Sequence, residues 1–103
     1  MLSSDLMFVS RVKAAAVQAG FEFRGRLPDE VAGSVRFVVL DLATQSKLAS
    51  EIVARCAERC PQAKLIAYGP HVQVDKLAAA RQAGITTVMT NGQFSSQLSQ
   101  IFS

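Results

Sequence analysis

The stretch VRFVVLDL, which runs from Val35 to Leu42, decides the fold of this chain. It is almost continuously apolar and is rich in β-branched and aromatic residues, as is typical of a strand buried on both faces of a parallel sheet. Asp41 stands at the carboxyl end of this strand. Open α/β sheets bind ligands and carry out chemistry in the crevice outside the carboxyl ends of their strands. Asp41 is therefore the first candidate functional residue.

Strands and helices alternate on both sides of this stretch. Apolar spacing, capping residues and glycine or proline punctuation place the elements along the chain. The predicted helices are Asp5–Ala19 (capped by Ser3 or Ser4), Ser46–Arg59, Val74–Ala83 and Phe94–Phe102, and the other predicted strands are Phe21–Arg24, Lys64–Tyr68 and Ile85–Thr90. A connection beginning at Leu27-Pro28 is expected to hold only a weak second helix.

This alternation predicts one α/β domain over residues 1–103. Parallel strands joined by right-handed helical crossovers give a flavodoxin-like three-layer sandwich, with a five-stranded parallel sheet in the order 2-1-3-4-5. The first strand is short, because only Met1, Leu2 and part of the Ser3-Ser4 pair remain for it. Three explanations stay open: a native start further upstream, a tolerated short centre, or pairing supplied by another chain.

Composition limits the classes of function. The chain has 103 residues, of which 50% are hydrophobic and 18% charged, and its net charge is +3. Its basic residues are spread out rather than clustered, so a nucleic-acid partner is not expected. No apolar run reaches the roughly 18 residues of a membrane span and no signal peptide is evident, so we expect a cytoplasmic protein without a membrane partner. Cys56 and Cys60 lack a second ligand pair, so no metal site is expected; Cys56 should be a core residue and Cys60 a helix-end thiol.

The segment GPHVQVDKLAAARQAGITTVMTNGQF, from Gly69 to Phe94, resembles the receiver domains of bacterial response regulators. Those domains carry a Thr or Ser after the fourth strand, a helix ending in Ala-Gly, a fifth strand and then Lys-Pro. Here Ala83-Gly84 occupies the Ala-Gly site at the matching distance from Gly69. The resemblance extends over nearly the whole chain, and it implies the same fold.

Receivers phosphorylate themselves with five groups, and the resemblance assigns each group a position in this chain. Asp41 matches the phosphoacceptor aspartate. Ser3 and Ser4 replace the acid pair that holds magnesium, Gly69 replaces the Thr or Ser, and Asn91 replaces the Lys. Because a developing phosphoryl anion must be neutralised by a metal and a cation, the resemblance implies a degenerate pseudo-receiver.

The first functional hypothesis is a stand-alone, non-enzymatic signalling and protein-interaction module that needs no aspartyl phosphorylation. In typical receivers the fourth helix, fifth strand and fifth helix form the docking face. Here residues 74–102 would contact a protein partner or a second copy in a homodimer. No cofactor is expected.

Two alternatives remain open. The first is a residual phosphoacceptor in which Asp41 is the nucleophile and Asp5 assists a metal. The second is a sensor of small anions or other ligands at the strand-end crevice, formed by Ser3, Ser4, Asp41, Gly69, His71 and Asn91. A STAS-like regulatory domain would also suit VVLDL, but the Asp-Ser-Ser-Gly turn that would support it is absent.

The polar residues of the crevice also have structural explanations. Asp41 would accept hydrogen bonds from loop amides at the sheet edge. His71 would be an exposed loop histidine, although contact with Asp41 is geometrically reasonable. Asn91-Gly92 is a turn signal, since both residues tolerate positive φ.

Overall fold

Helices and strands alternate along the computed structural model, which describes residues 1–25 and 35–102. Its elements are α1 (Leu6–Gln18), β1 (Phe37–Asp41), α2 (Leu42–Gln45), a 3₁₀ turn (Ser46–Leu48), α3 (Ala49–Arg59), β2 (Lys64–Gly69), α4 (Val74–Gln82), β3 (Thr87–Thr90) and α5 (Asn91–Ile101). The weak helix predicted after Leu27-Pro28 falls outside the described residues. Within those residues, no helix has the length and apolar character needed to cross a bilayer.

The three strands form one parallel sheet in the order β1-β2-β3. Val39 pairs with Ile66 and Ile66 with Thr87 in the two ladders. Successive residues of β1 enter different cores, since side chains alternate across a strand. One core packs β1 and β2 against α3 and α4 through Val38, Leu40, Ile52, Cys56, Ala67, Leu77 and Ala80. The other packs them against α1 and α5 through Val12, Ala16, Val39, Ile66, Tyr68, Phe94 and Leu98. The three-layer arrangement places the carboxyl end of β1 between the starts of α1 and α2.

The predicted sheet of five strands is wrong in number for the described part of the chain, although its last three strands lie in the predicted order. At the position of the first strand, Leu2 forms a single parallel bridge to Leu40. The predicted strand Phe21–Arg24 forms no ladder, but the Met1 nitrogen donates to the Arg24 carbonyl at 2.8 Å. A ladder needs consecutive paired residues, and one bridging residue cannot supply them.

Several helix boundaries differ from the predictions because side-chain caps decide them. Asp5, rather than Ser3 or Ser4, caps α1 and accepts from the amides of Met7 and Phe8. The helical segment after β1 begins at Leu42 instead of Ser46. Asn91 is the first residue of α5, after a capping box formed by Thr90 and Gln93, so the predicted turn at Asn91-Gly92 is wrong.

Both cysteines are buried as free thiols. Cys56 is 7% exposed and belongs to the α3–α4 core, as predicted. Cys60 is only 1% exposed and ends α3 with its amide bonded to the Cys56 carbonyl, so it is a core residue as well. Burial and the neighbouring Cys60 raise the pKa of the Cys56 thiol to about 12. Such a thiol is protonated and unreactive at neutral pH.

Candidate functional site

Asp41 is buried at the carboxyl end of β1, where its side chain is held by three donors. It is 2% exposed and is the N-cap residue of α2. The Ala43 amide donates to Oδ1 at 2.9 Å. The hydroxyls of Ser3 and Thr44 donate to Oδ2 at 2.7 and 3.0 Å. These three bonds compensate the carboxylate for the water that it loses on burial.

Further hydrogen bonds orient the two hydroxyls. The Asp5 amide donates to Ser3 Oγ at 2.9 Å, and the Ser4 amide donates to Thr44 Oγ1 at 3.1 Å. The Gln45 side chain donates to Ser4 Oγ at 3.1 Å. We call Ser3, Ser4, Asp41, Thr44 and Gln45 the Asp41 network. It joins the start of the chain to the β1–α2 junction across about forty residues of sequence.

Sequence reasoning missed three residues of the site, Thr44, Gln45 and Tyr68. Thr44 carried a signal, because a hydroxyl three residues after a helix N-cap lies on the first helical turn and can reach the capping side chain. Tyr68 pairs with Asp41 in the β1–β2 register, but nothing in the local pattern of β2 distinguishes it from a core aromatic. Only the register between strands brings it beside Asp41.

Tyr68 lies in an aromatic stack between α1 and α5. Its ring is parallel to that of Phe94 at 4.2 Å between centroids, and the Phe8 ring lies 5.0 Å away. Tyr68 is 1% exposed, and its hydroxyl finds no hydrogen-bond partner among the described residues. Burial raises the pKa of the Tyr68 phenol well above its ordinary value. The negative charge of Asp41 adds to the rise in pKa. The Ser3 side chain lowers the pKa and so opposes part of the rise.

The other crevice residues are not hydrogen-bonded to the Asp41 network in the described part of the chain. Gly69 is buried at the end of β2, where an added Cβ would stand 3.1 Å from Leu42 Cβ, on the side of the α3–α4 core. His71 is exposed. The buried Oδ1 of Asn91 has no partner in the described part of the chain. The structure therefore joins Ser3 and Ser4 to Asp41, and no hydrogen bond described in residues 1–25 and 35–102 joins Asp41 to Gly69, His71 or Asn91.

The charges of the site do not form a metal cradle. In the described ranges, no group of three or more His, Cys, Asp or Glu side chains is placed to hold an ion. The Asp5 carboxylate, the nearest additional acid, caps α1 through Met7 and Phe8. Among the described residues, the donors to the Asp41 carboxylate are two neutral hydroxyls and one backbone amide. This arrangement holds the Asp41 carboxylate in place and joins the start of the chain to β1 and α2.

Comparison with known proteins identifies the fold. No family model and no curated protein matches the sequence. Among solved structures, the chain is similar to a response regulator protein from Burkholderia pseudomallei that was crystallised with a phosphorylated aspartic acid, a calcium ion and citrate. The TM-score is 0.64 at 16% identity, and the match covers 97% of this chain and 64% of that one. The chain thus spans less than two thirds of that protein. The likeness supports a receiver-like α/β fold, as the sequence predicted.

Proposed function

We propose that this chain is a receiver-like signalling and protein-interaction module that acts without phosphorylation of Asp41. It is not an enzyme, and it works by docking a protein partner or a second copy of itself. The observation that carries the proposal is the state of Asp41. Its carboxylate is 2% exposed and is bonded to Ser3, Thr44 and the Ala43 amide.

A phosphoacceptor aspartate must present one oxygen, in line, to the phosphorus of a donor. Here Oδ2 accepts from two hydroxyls and Oδ1 accepts from the capping amide. To attack, the carboxylate would have to admit a polyanion to a position that is 2% exposed, and attack through Oδ2 would also take that oxygen from the Ser3 and Thr44 hydroxyls. Each step costs free energy, since a buried donor left without an acceptor costs about 1–3 kcal/mol.

The charged groups that would offset this free-energy cost are absent from the matching positions. Ser3 and Ser4 supply hydroxyls where receivers have metal-binding acids, and Asn91 is neutral where receivers have lysine. At Gly69 a side chain would crowd Leu42, in the core opposite the Asp41 network. Without a metal and a cation, the developing negative charge would meet only neutral donors.

The docking face that we propose is formed by α4, β3 and α5. Buried Phe94 and Leu98 anchor α5 to the core, and the rest of this helix consists of Ser, Gln, Asn, Gly and Ile. The helix carries no charged residue of its own, although the Arg11 guanidinium donates to Ser95 at 2.6 Å, and α4 adds Asp75, Lys76 and Arg81 to the face. At the start of α4, Val74 is 64% exposed and Val72 in the preceding loop is 75% exposed. Neutral polar and apolar surface is cheaper to desolvate in an interface than charged surface.

The first test asks whether Asp41 accepts a phosphoryl group. The protein is incubated with acetyl phosphate and magnesium, or with beryllofluoride, next to an ordinary receiver as positive control. Intact mass and amide NMR shifts near Asp41 are the readouts, and Asp41→Asn is the matched variant. We expect no phosphoryl adduct and no saturable shift. An adduct that appears on the unaltered chain and disappears in Asp41→Asn would refute the proposal in favour of a residual phosphoacceptor.

The second test addresses the docking face. Val74→Glu and Gln97→Glu place a charge on α4 and α5 at exposed positions, and Ala54→Glu on the exposed side of α3 is the matched control. Self-association is measured by sedimentation, and partner capture by affinity purification from the native source. We expect both face variants, but not Ala54→Glu, to weaken the complex. Equal behaviour of all three variants would exclude this face.

A second candidate function, the ligand sensor, is favoured by two polar atoms near the sheet edge. The Tyr68 hydroxyl and Asn91 Oδ1 are both buried without a protein partner in the described residues. A small molecule or ordered water that satisfied them would recover the cost of their desolvation. Thermal shifts with a panel of small anions and amides would test this. A shift that Tyr68→Phe abolishes would support a ligand site, and no shift with any compound would count against it.

A further inference from the structure

The first helix, α1, carries apolar residues on both of its sides. Its inner side packs into the core through Val12 and Ala16. Its outer side is also apolar, since Leu6 and Met7 are each 79% exposed and Val17 is 56% exposed. A surface helix ordinarily turns an apolar stripe inward and polar or charged residues outward. The outer side of α3 follows that rule with exposed Glu and Arg side chains, and the outer side of α1 does not.

The exposed apolar residues of α1 lie on one stripe. Successive residues of a helix are rotated by about 100°, and on this spacing five exposed residues fall within a sector of about 100° on the outer side. These residues, which we call the outer stripe, are Leu6, Met7, Ser10, Ala14 and Val17. The small residues Ser10 and Ala14 lie at its middle, and the larger residues lie toward its two ends. Small side chains at a crossing point let a second helix approach closely.

One basic residue borders the outer stripe on each side. Lys13 is exposed at one border and Arg11 at the other. Arg11 is held in place, because its guanidinium lies 5.5 Å from the centroid of the Phe8 ring and donates to Ser95 Oγ at 2.6 Å. No acidic residue lies within α1 or the adjoining α5. The outer stripe is therefore apolar surface between two positive charges.

These features favour one kind of occupant over two others. A second copy of the chain would bring the same basic borders, so like charges would oppose each other across the contact. A lipid surface is best matched by bulky apolar residues along a whole helix face, and Ser10 and Ala14 interrupt such a face. A partner helix with acidic borders satisfies both the charges and the narrow middle of the stripe.

We propose that the outer stripe of α1 docks an amphipathic helix of a partner protein. The apolar side of that helix packs on the stripe, across Ser10 and Ala14, and Glu or Asp residues at its borders face Lys13 and Arg11. The stripe includes no residue of the face formed by α4, β3 and α5. This interaction therefore goes beyond the proposed function and does not depend on it.

The probe for the test is a synthetic helical peptide of about three heptads, with Leu at its a and d positions and Glu at its e and g positions. A comparison peptide carries Lys at e and g. Binding of each labelled peptide to the unaltered protein is measured by fluorescence anisotropy, and amide NMR shifts locate the bound peptide. We expect the Glu peptide to bind at least about fivefold more tightly than the Lys peptide, with the shifts centred on α1.

Two variants separate packing from charge. Ala14→Arg adds bulk at the middle of the outer stripe together with a positive charge, so a contact made by charge alone would become tighter. We expect this variant instead to weaken binding of the Glu peptide about tenfold or more. Lys13→Glu leaves the stripe unchanged and should reverse the order of the two peptides. Val74→Glu, on α4 in the other layer, is the matched control and should bind like the unaltered protein.

Several outcomes would overturn the proposal. One is no saturable binding of the Glu peptide, and another is equal binding of the two peptides. Undiminished binding by Ala14→Arg would show that the stripe is not the contact surface, as would an equal loss of binding in Val74→Glu. Self-association that Ala14→Arg abolishes would assign the stripe to a second copy. Binding of phosphatidylserine vesicles without binding of the peptide would assign it to a lipid surface. A Val74→Glu variant that loses only its docking partner would concern the proposed function and leave the α1 stripe untouched.

Discussion

Replacing Asp41 tests whether its carboxylate holds the fold together or is kept for chemistry. In Asp41→Asn, the amide oxygen still caps α2 through the Ala43 amide, because asparagine is a good N-cap residue. The NH₂ group, however, then faces the hydroxyls of Ser3 and Thr44. These hydroxyls lose their acceptor, and their own oxygens already accept from the Asp5 and Ser4 amides. Asp41→Ala removes the cap as well.

The expected magnitudes follow from the bonds that are lost. Hydrogen bonds to a charged group contribute about 1.5–3 kcal/mol each, and the release of a buried charge offsets part of their loss. We expect Asp41→Asn to lower the free energy of unfolding by about 2 kcal/mol. Asp41→Ala should cost about 1 kcal/mol more, which is the contribution of a typical N-cap. For a domain of this size, about 2–3 kcal/mol corresponds to a drop in Tm of roughly 10–20 °C.

The assay is urea unfolding followed by circular dichroism. A double-mutant cycle with Ser3→Ala isolates the bond between Ser3 and Asp41, and we expect a coupling free energy of about 1 kcal/mol or more. Ser10→Ala, at an exposed position of α1, is the control and should be close to neutral. In a site that keeps a carboxylate for chemistry, removing it often stabilises the fold. An Asp41→Asn variant as stable as the unaltered protein, or more stable, would refute the structural role.

Four further predictions concern individual residues. Tyr68→Phe should raise the free energy of unfolding by about 1 kcal/mol, because it removes a buried hydroxyl that has no hydrogen-bond partner among the described residues; a loss of stability in urea unfolding would reveal a partner. The raised pKa of Tyr68 means that only the unfolded chain ionises near the ordinary value of 10.0. The free energy of unfolding should therefore be unaffected by Tyr68 ionisation below pH 10 and should fall above it. The phenolate absorbance of this single tyrosine should appear only on unfolding. Gly69→Thr should cost about 1–3 kcal/mol, because its Cβ crowds Leu42, and a neutral urea midpoint would contradict this. Thr90→Ala should cost about 1 kcal/mol by breaking the capping box with Gln93, with Ser99→Ala as a neutral control in thermal unfolding.

Local patterns in the sequence were enough to predict the order of the elements. The apolar run that ends at Asp41 predicted β1, and Pro61 and Gly84 marked where two helices could not continue. The sequence also predicted that Cys56 is a core residue, and it is buried on the inward side of α3. For these features the information is local, because each residue's preference needs no knowledge of its distant neighbours.

Hydrogen-bond partners could not be predicted in the same way. The sequence suggested amides as donors to Asp41, and the Ala43 amide is one. The Ser3 hydroxyl was not foreseen as a donor, because periodicity does not specify which polar groups meet across 38 residues. The Thr44 hydroxyl, three residues after Asp41, carried a local signal that was missed. The turn predicted at Asn91 was wrong for a similar reason. Its turn propensity was outweighed by the Thr90 cap, which needs the actual geometry of the β3–α5 junction.

What the sequence determined by itself is a chain of alternating strands and helices with one aspartate at the end of its most apolar strand. Hydrophobic periodicity is enough for that, because it reports the face that each element buries. Only the folded sheet brings distant residues to that aspartate. Strand register placed Tyr68 beside it, and the path of residues 1–4 placed Ser3 on its oxygen. Both contacts join segments far apart in sequence, so they exist only after the sheet has formed.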